Sequence, residues 1–163
     1  MNNIPEEIKD YLSYDELTGD LTWIKKPSNK SNINTIANSR KKGYIRIMFK
    51  GVNYSAHRLA WFLKTNNQPP NQIDHIDTIK SNNIWTNLRE ATNSENKCNT
   101  PKYRSNTSGY KGVYYHKSIG KFHARISINN KRISLGTYDT AIDAHTAYCM
   151  AADLYHNQFK HYG

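Results

Sequence analysis

The residues able to do chemistry gather in one stretch, QIDHIDTIKSNNIWTNLREATNSENKCN, at positions 72–99. Asp74 and Asp77 flank His75, and Asn82, Asn83, Asn87 and Asn96 follow. One reading is structural, because Asp and Asn suit turns through local side-chain to backbone bonds. The other is chemical: a carboxylate beside an imidazole can place a metal next to a general base. Asp74 and His75 are adjacent, so in a strand they would point to opposite faces. Bringing both to one substrate therefore calls for a bulge or a turn. Asn82, Asn83 and Asp77 read first as turn residues, and His57 as a structural hydrogen-bonding group.

Composition bounds the setting. The chain has 163 residues, 37% of them hydrophobic, which suits one ordinary domain or two small ones. No apolar run approaches the about 20 residues that cross a bilayer. The acidic, polar start does not resemble a signal peptide. Cys98 and Cys149 form no Cys-x-x-Cys pair, so neither zinc nor a disulfide framework is expected, and a reducing, cytoplasmic setting follows. The net charge of +10 points to a polyanionic partner, since cationic side chains release counterions from nucleic acid. Residues 1–100 carry 14 Lys and Arg against 10 Asp and Glu, and residues 101–163 carry 9 against 3. The second part is the more basic for its length.

The elements that must position the candidate residues follow from pattern. PEEIKDYL, with Pro5 early and acids behind it, predicts a short helix. YDELTGDLTW predicts a hairpin turning at Thr18-Gly19. Residues 25–38 predict a loop. GYIRIMFKGVNYSAH alternates on either side of Lys50-Gly51, a second hairpin. AHRLAWFLKT switches to helical spacing with Leu59, Phe62 and Leu63 on one face, and Pro69-Pro70 ends that run. A short extended piece at 72–76, a polar turn and a helix from Asn93 follow.

Residues 99–108 have linker composition, which divides the chain into 1–98, a linker at 99–108, and 109–163. Beyond the linker, GYKGVYYHK, GKFHARISIN and KRISLGTYD predict three strands. In the second, Phe122, Ala124, Ile126 and Ile128 share one face, and His123, Arg125, Ser127 and Asn129 the other. Ile133 and Leu135 are expected with the apolar set, and Arg132 and Ser134 on the polar face. Thr140 to Asp143 caps the Ala-rich helix AIDAHTAYCMAADLYH. The fold class is α+β: N-terminal hairpins and a ribbon-helix module, then a three-stranded antiparallel sheet packed on one helix.

Asp74-His75, Asn82-Asn83, Asn87-Leu88-Arg89 and Asn96 resemble the HNH nucleases, specifically the homing type carried by phages and introns. The resemblance covers most of residues 10–100 and implies a ββα-metal module. It implies His75 as general base, Asn87 as the group that orients it, and Asp74 with Asn96 as metal ligands. The residue types suit that chemistry. Phosphodiester hydrolysis needs a deprotonated water in line with the leaving oxygen, and a cation where negative charge accumulates. Neutral imidazole accepts a proton near pH 7. A carboxylate and an amide oxygen suit Mg²⁺ or Mn²⁺. Asn87 could instead buttress the ribbon.

SGYKGVYYHKSIGKFHARISINNKRISLGTYDTAIDAHTAYCMAADLYHN resembles the AP2 DNA-binding domain. Gly112-Val113, Gly120-Lys121-Phe122, Leu135-Gly136-Thr137-Tyr138 and the Ala-rich helix are the specific matches. That family lays its sheet in the major groove of duplex DNA, which implies contacts from Lys111, Tyr114, His116, Arg125, Arg132, Ser134 and Thr137. Tyr114, His116 and Ser134 stand where plant members hold more Arg and Trp, so the mode transfers and the target sequence does not. Together the two motifs imply a metal-dependent, site-directed DNA endonuclease, phage-encoded and acting on double-stranded DNA; the sequence shows no coiled-coil or symmetric interface pattern, so a monomer is expected. The alternatives are a non-catalytic DNA-binding regulator and a nonspecific or RNA-directed nuclease.

Overall fold

A computed structural model describes residues 3–27, 32–35, 37, 40–41 and 43–163. The loop expected over 25–38 lies partly outside these described residues. The chain is mixed α/β, built on small antiparallel sheets, and divides into two compact units, Met1–Glu90 and Ala91–Gly163. This division falls upstream of the 99–108 segment picked out by composition. Among the described residues no helix is long and apolar enough to cross a membrane.

In the first unit, a 3₁₀ turn over Glu6–Asp10 leads into the hairpin β1 (Leu12–Tyr14) and β2 (Leu21–Trp23). The expected turn is there: Asp15 carbonyl accepts from Gly19 N–H at 2.8 Å, and Gly19 has φ +78°. A second sheet contains β3 (Arg40–Lys41), β4 (Tyr44–Phe49) and β5 (Val52–Ser55). Lys50 and Gly51 both take positive φ, the conformation a two-residue hairpin needs to match strand twist. Helix α1 (Ala56–Thr65) follows at once and ends in left-handed Asn66. It sends Leu59 and Phe62 into a core with Ile8, Leu12 and Phe49. Ala60, on another side of α1, packs on Ile73 and Leu88. Those two belong to the ribbon β6 (Ile73–His75) and β7 (Leu88–Glu90). Arg58 of α1 donates to the carbonyls of Pro70 (2.7 Å) and Pro69 (3.2 Å), tying the Pro-Pro bend before β6 to the helix.

The second unit opens with α2 (Asn93–Cys98), capped by Thr92 and Glu95 in a reciprocal box. Lys97 Nζ reaches Asn130 Oδ1 at 3.3 Å and Cys98 carbonyl accepts from Lys111 Nζ at 2.8 Å. Strands β8 (Val113–His116), β9 (Lys121–Ile128) and β10 (Lys131–Tyr138) form an antiparallel sheet in the order β10-β9-β8. Its apolar face carries α3 (Ala141–His156), capped as expected by Thr140 accepting from Asp143 N–H. Ala144 packs on Val113 and Ala124, and Tyr148, Ala151 and Ala152 on Ile126, so small residues bring helix and sheet close. Gly112 is required there: a Cβ on it would lie 2.1 Å from the Tyr148 ring.

One departure from simple alternation matters. The β9-β10 register shifts between Ser134 and Gly136, leaving Leu135 as an extra residue. Ser134 sits opposite Arg125, and Thr137 opposite His123. Without the bulge, odd and even positions of β10 would face opposite ways; with it, Ser134 and Thr137 share the outer face. Ile133 pairs with Ile126 as the apolar set requires, yet stays 41% exposed.

Candidate functional site

The ribbon β6-β7 is regular: Ile73 opposes Glu90, Asp74 opposes Arg89 and His75 opposes Leu88. No bulge separates Asp74 from His75; the other expected device, a turn, begins at His75, whose carbonyl accepts from Thr78 N–H at 2.9 Å. All three β6 residues are buried, so both faces of the ribbon are covered; Asp74 pairs with Arg89, and His75 faces Asn83.

The turn after β6 is organised by Asp77. Its Oδ1 accepts from Ile79 N–H (2.8 Å) and Asn87 Nδ2 (2.9 Å), and its Oδ2 from Asn82 Nδ2 (2.6 Å). Burial works against the charged form of Asp77. The bonds from Asn82, Ile79 and Asn87 outweigh it and hold the carboxyl below the usual range. Asn87 Oδ1 accepts from Asp77 N–H (3.0 Å), and its Nδ2 also reaches Asn82 carbonyl (2.8 Å). Asn87 thus braces the turn that leaves the ribbon.

Against His75 stands Asn83. Its Oδ1 is 3.3 Å from His75 Nε2. The amide is oriented because its Nδ2 donates to Ser81 carbonyl at 3.3 Å. An oxygen facing Nε2 puts the ring proton on that nitrogen and the lone pair on Nδ1. Asn83 is 2% exposed, and Tyr14 Oη donates to its carbonyl at 2.7 Å. Gly19 packs on the same segment: a Cβ there would lie 2.5 Å from Ile84 N and 2.6 Å from Asn83 C. The first hairpin is therefore the mount for the residue that faces the imidazole.

Two aromatic rings complete the surroundings. His57 meets His75 edge-on with ring centroids 5.2 Å apart, and Tyr44 lies 5.5 Å from His57 and 6.0 Å from His75. Lys80 Nζ sits 5.1 Å from the Tyr44 ring. Burial, with smaller contributions from His75, Arg58 and Arg46, pushes His57 down to about 3. Burial also lowers His75 below its ordinary value, with Lys80 adding to it; the Asn83 bond, Asp77 and Asp74 pull the other way. Both imidazoles are neutral at pH 7.

Asp74 faces its cross-strand partner. Arg89 Nε and Nη2 donate to Asp74 Oδ2 at 2.8 and 2.7 Å. The side chains are 4% and 13% exposed, so this is a buried ion pair rather than a surface one.

In the second unit, the outer face of the sheet gathers Tyr114, His116, Arg125, Arg132, Ser134 and Thr137, joined by Lys121 and His123. Arg125 lies 4.8 Å over the Tyr114 ring, which also tilts against His123 at 5.0 Å. Ser134 Oγ is 3.0 Å from His123 Nε2, and Ser118 Oγ is 3.0 Å from His116 Nδ1. Lys111 is set apart from them: it bonds Cys98 carbonyl, lies 5.9 Å from the Tyr148 ring, and burial pushes it down to about 8. Asn96 lies on α2, partly buried.

Comparison with known families agrees with both motifs. Residues 54–98 match the family described as HNH endonuclease, and residues 108–158 the one described as AP2 domain. An HNH endonuclease domain precedes an AP2 domain. The HNH match runs from β5 through α2 and so holds Asp74, His75, Asn87 and Asn96 together in sequence. No curated protein and no solved structure matches the chain.

HNH nucleases generally use a divalent metal ion. Among the described residues no group of three His, Cys, Asp or Glu is arranged to hold one. A magnesium-like cation needs fewer protein ligands, because it keeps waters and takes phosphate oxygens from its substrate. Asp74 offers the required hard, anionic oxygen, already balanced by a cation in the form of Arg89. An anionic oxygen is the donor type that such a cation takes.

Proposed function

We propose that the chain is a DNA endonuclease in which the HNH domain hydrolyses a phosphodiester bond and the AP2 domain holds the duplex. The observation that carries the reading is His75. It is buried, neutral at pH 7, oriented by Asn83 and set in a domain matching the HNH family. His75 Nδ1 takes a proton from water; the water oxygen bonds to phosphorus as the P–O3′ bond breaks. The products are a 5′-phosphate and a 3′-hydroxyl, the latter protonated from solvent. Asp74 would hold Mg²⁺ or Mn²⁺, which would supply Lewis-acid stabilisation of the developing negative charge, and the HNH resemblance implies Asn96 as a further ligand. Asn87 keeps the turn after β6 in place, and Asn83 fixes the tautomer. Tyr114, His116, Arg125, Arg132, Ser134 and Thr137 contact the duplex from the sheet face. A site-directed, homing role fits the pairing of a cutting domain with a reading domain.

A second reading, a non-catalytic DNA-binding regulator, is favoured by the saturation of Asp74 Oδ2 by two Arg89 N–H groups. Conversion of supercoiled plasmid to nicked and linear forms, in Mg²⁺, Mn²⁺ or chelator, separates the two. The nuclease reading expects metal-dependent cutting, lost in His75→Ala with DNA binding kept. Tight duplex binding with no cutting in either metal would leave the regulator.

A further inference from the structure

We propose that Arg89 is an internal counter-ion that competes with the divalent cation for Asp74, so that cation loading is coupled to phosphate binding. The inference rests on the nuclease reading and assigns a role to a residue outside the expected catalytic and metal set.

The geometry is specific. Asp74 and Arg89 are direct partners in the β6-β7 register, so the ribbon itself brings them together. Two guanidinium nitrogens converge on a single oxygen, Asp74 Oδ2, at 2.7 and 2.8 Å. Burial of 4% and 13% exposure on the two side chains removes much of the solvent screening that weakens surface pairs. A buried carboxylate requires a positive partner, and Arg89 supplies it. A hard cation seeks the same anionic oxygen, and two positive charges close to one carboxylate repel each other.

The guanidinium fork suits phosphate as well as carboxylate, because both accept two parallel N–H bonds. A DNA phosphate that takes Arg89 would hand Asp74 to the cation. Thermodynamic reciprocity then requires that cation and duplex each tighten the binding of the other. Arg89 is thereby a positioning residue: it prevents firm cation binding by the protein alone and favours loading on DNA.

The test is Mn²⁺ affinity, read from the electron paramagnetic resonance signal of free Mn²⁺, for protein without DNA. Wild type, Arg89→Met, Arg89→Lys and the double variant Asp74→Asn/Arg89→Met are compared, with circular dichroism confirming the fold. Arg89→Met is expected to bind Mn²⁺ about tenfold tighter than wild type, a gain abolished in the double variant. Equal or weaker binding by folded Arg89→Met would overturn the proposal. If Arg89→Met does not fold, Arg89→Lys decides. Its point charge lacks the fork and is expected to raise affinity by about threefold, and no rise overturns the proposal. Plasmid cutting by wild type, run alongside, separates the two claims. Cutting without the Mn²⁺ gain sinks the counter-ion and spares the nuclease. The Mn²⁺ gain without cutting supports the counter-ion and sinks the nuclease.

Discussion

His75 and its neighbours show what single residues contribute and how far their types reveal it. Alone, the Asp-His pair reads as a turn; it stands out in the sequence only because Asn87 and Asn96 follow in the order and spacing of the HNH resemblance. Which asparagine faces the imidazole was not legible, because Asn82, Asn83 and Asn87 are chemically identical and all suit turns. Only the path of the chain puts Asn83 Oδ1 beside Nε2 and Asn87 beside Asp77. His57 carries its own prediction. Its folded value of about 3 lies below the ordinary 6.5, so unfolding takes up a proton once pH falls below about 6.5. Stability contributed by neutral His57 is therefore full above pH 6.5 and is lost progressively down to about pH 3. One such group steepens the loss by at most about 1.4 kcal/mol per pH unit. Urea melts at pH 7 and pH 5 should show a smaller drop for His57→Phe, which keeps a packed ring and removes the titration.

Among the elements, the hairpins, α1, β8 to β10 and α3 were legible from period and turn residues, because each buries one face. The β6-β7 ribbon was harder, since three-residue strands buried on both sides show no alternation. The bulge at Leu135 was also hidden, although the expected contacts contained its trace: Ser134 and Thr137 differ in parity, so sharing a face requires an extra residue between them. The first hairpin acts at a distance, through Tyr14 and Gly19, on the segment carrying Asn83. Tyr14→Phe removes one part-buried hydrogen bond, worth about 1 kcal/mol, and should lower cleavage while leaving DNA affinity unchanged. Burial, with help from Glu16 and Asp15, raises the Tyr14 hydroxyl to about 12, so this bond persists through the neutral range. Single-turnover cleavage and duplex binding measured on the same preparation check it.

At the scale of the whole molecule, the charge of +10 is unevenly spent. The sheet face of the second unit concentrates Arg125, Arg132 and Lys121 with Tyr114 and two histidines, whereas Lys111 is used inside its own unit. Arg125→Ala and Arg132→Ala should each weaken duplex binding and reduce the salt slope by about 1 per lost phosphate contact. Lys111→Met should leave the slope unchanged. It should also stabilise the unit most below pH 8, where burying the protonated ammonium costs most. Titrating binding against salt for the three variants checks the assignment. Charge and the two motifs made DNA the legible partner from sequence. The buried use of Lys111 was not legible, because a lysine in a strand-like segment reads the same whichever way its side chain turns.

The central claim is that His75 takes the proton from the attacking water, and chemical rescue tests it most directly. His75→Gly removes the imidazole and leaves space beside His57 and Tyr44. Cleavage is expected to fall by about 10²–10⁴-fold, with duplex binding unchanged, and to recover in proportion to added imidazole at fixed pH. Cutting at the wild-type rate without imidazole, or a loss that imidazole leaves untouched while DNA stays bound, would contradict the account.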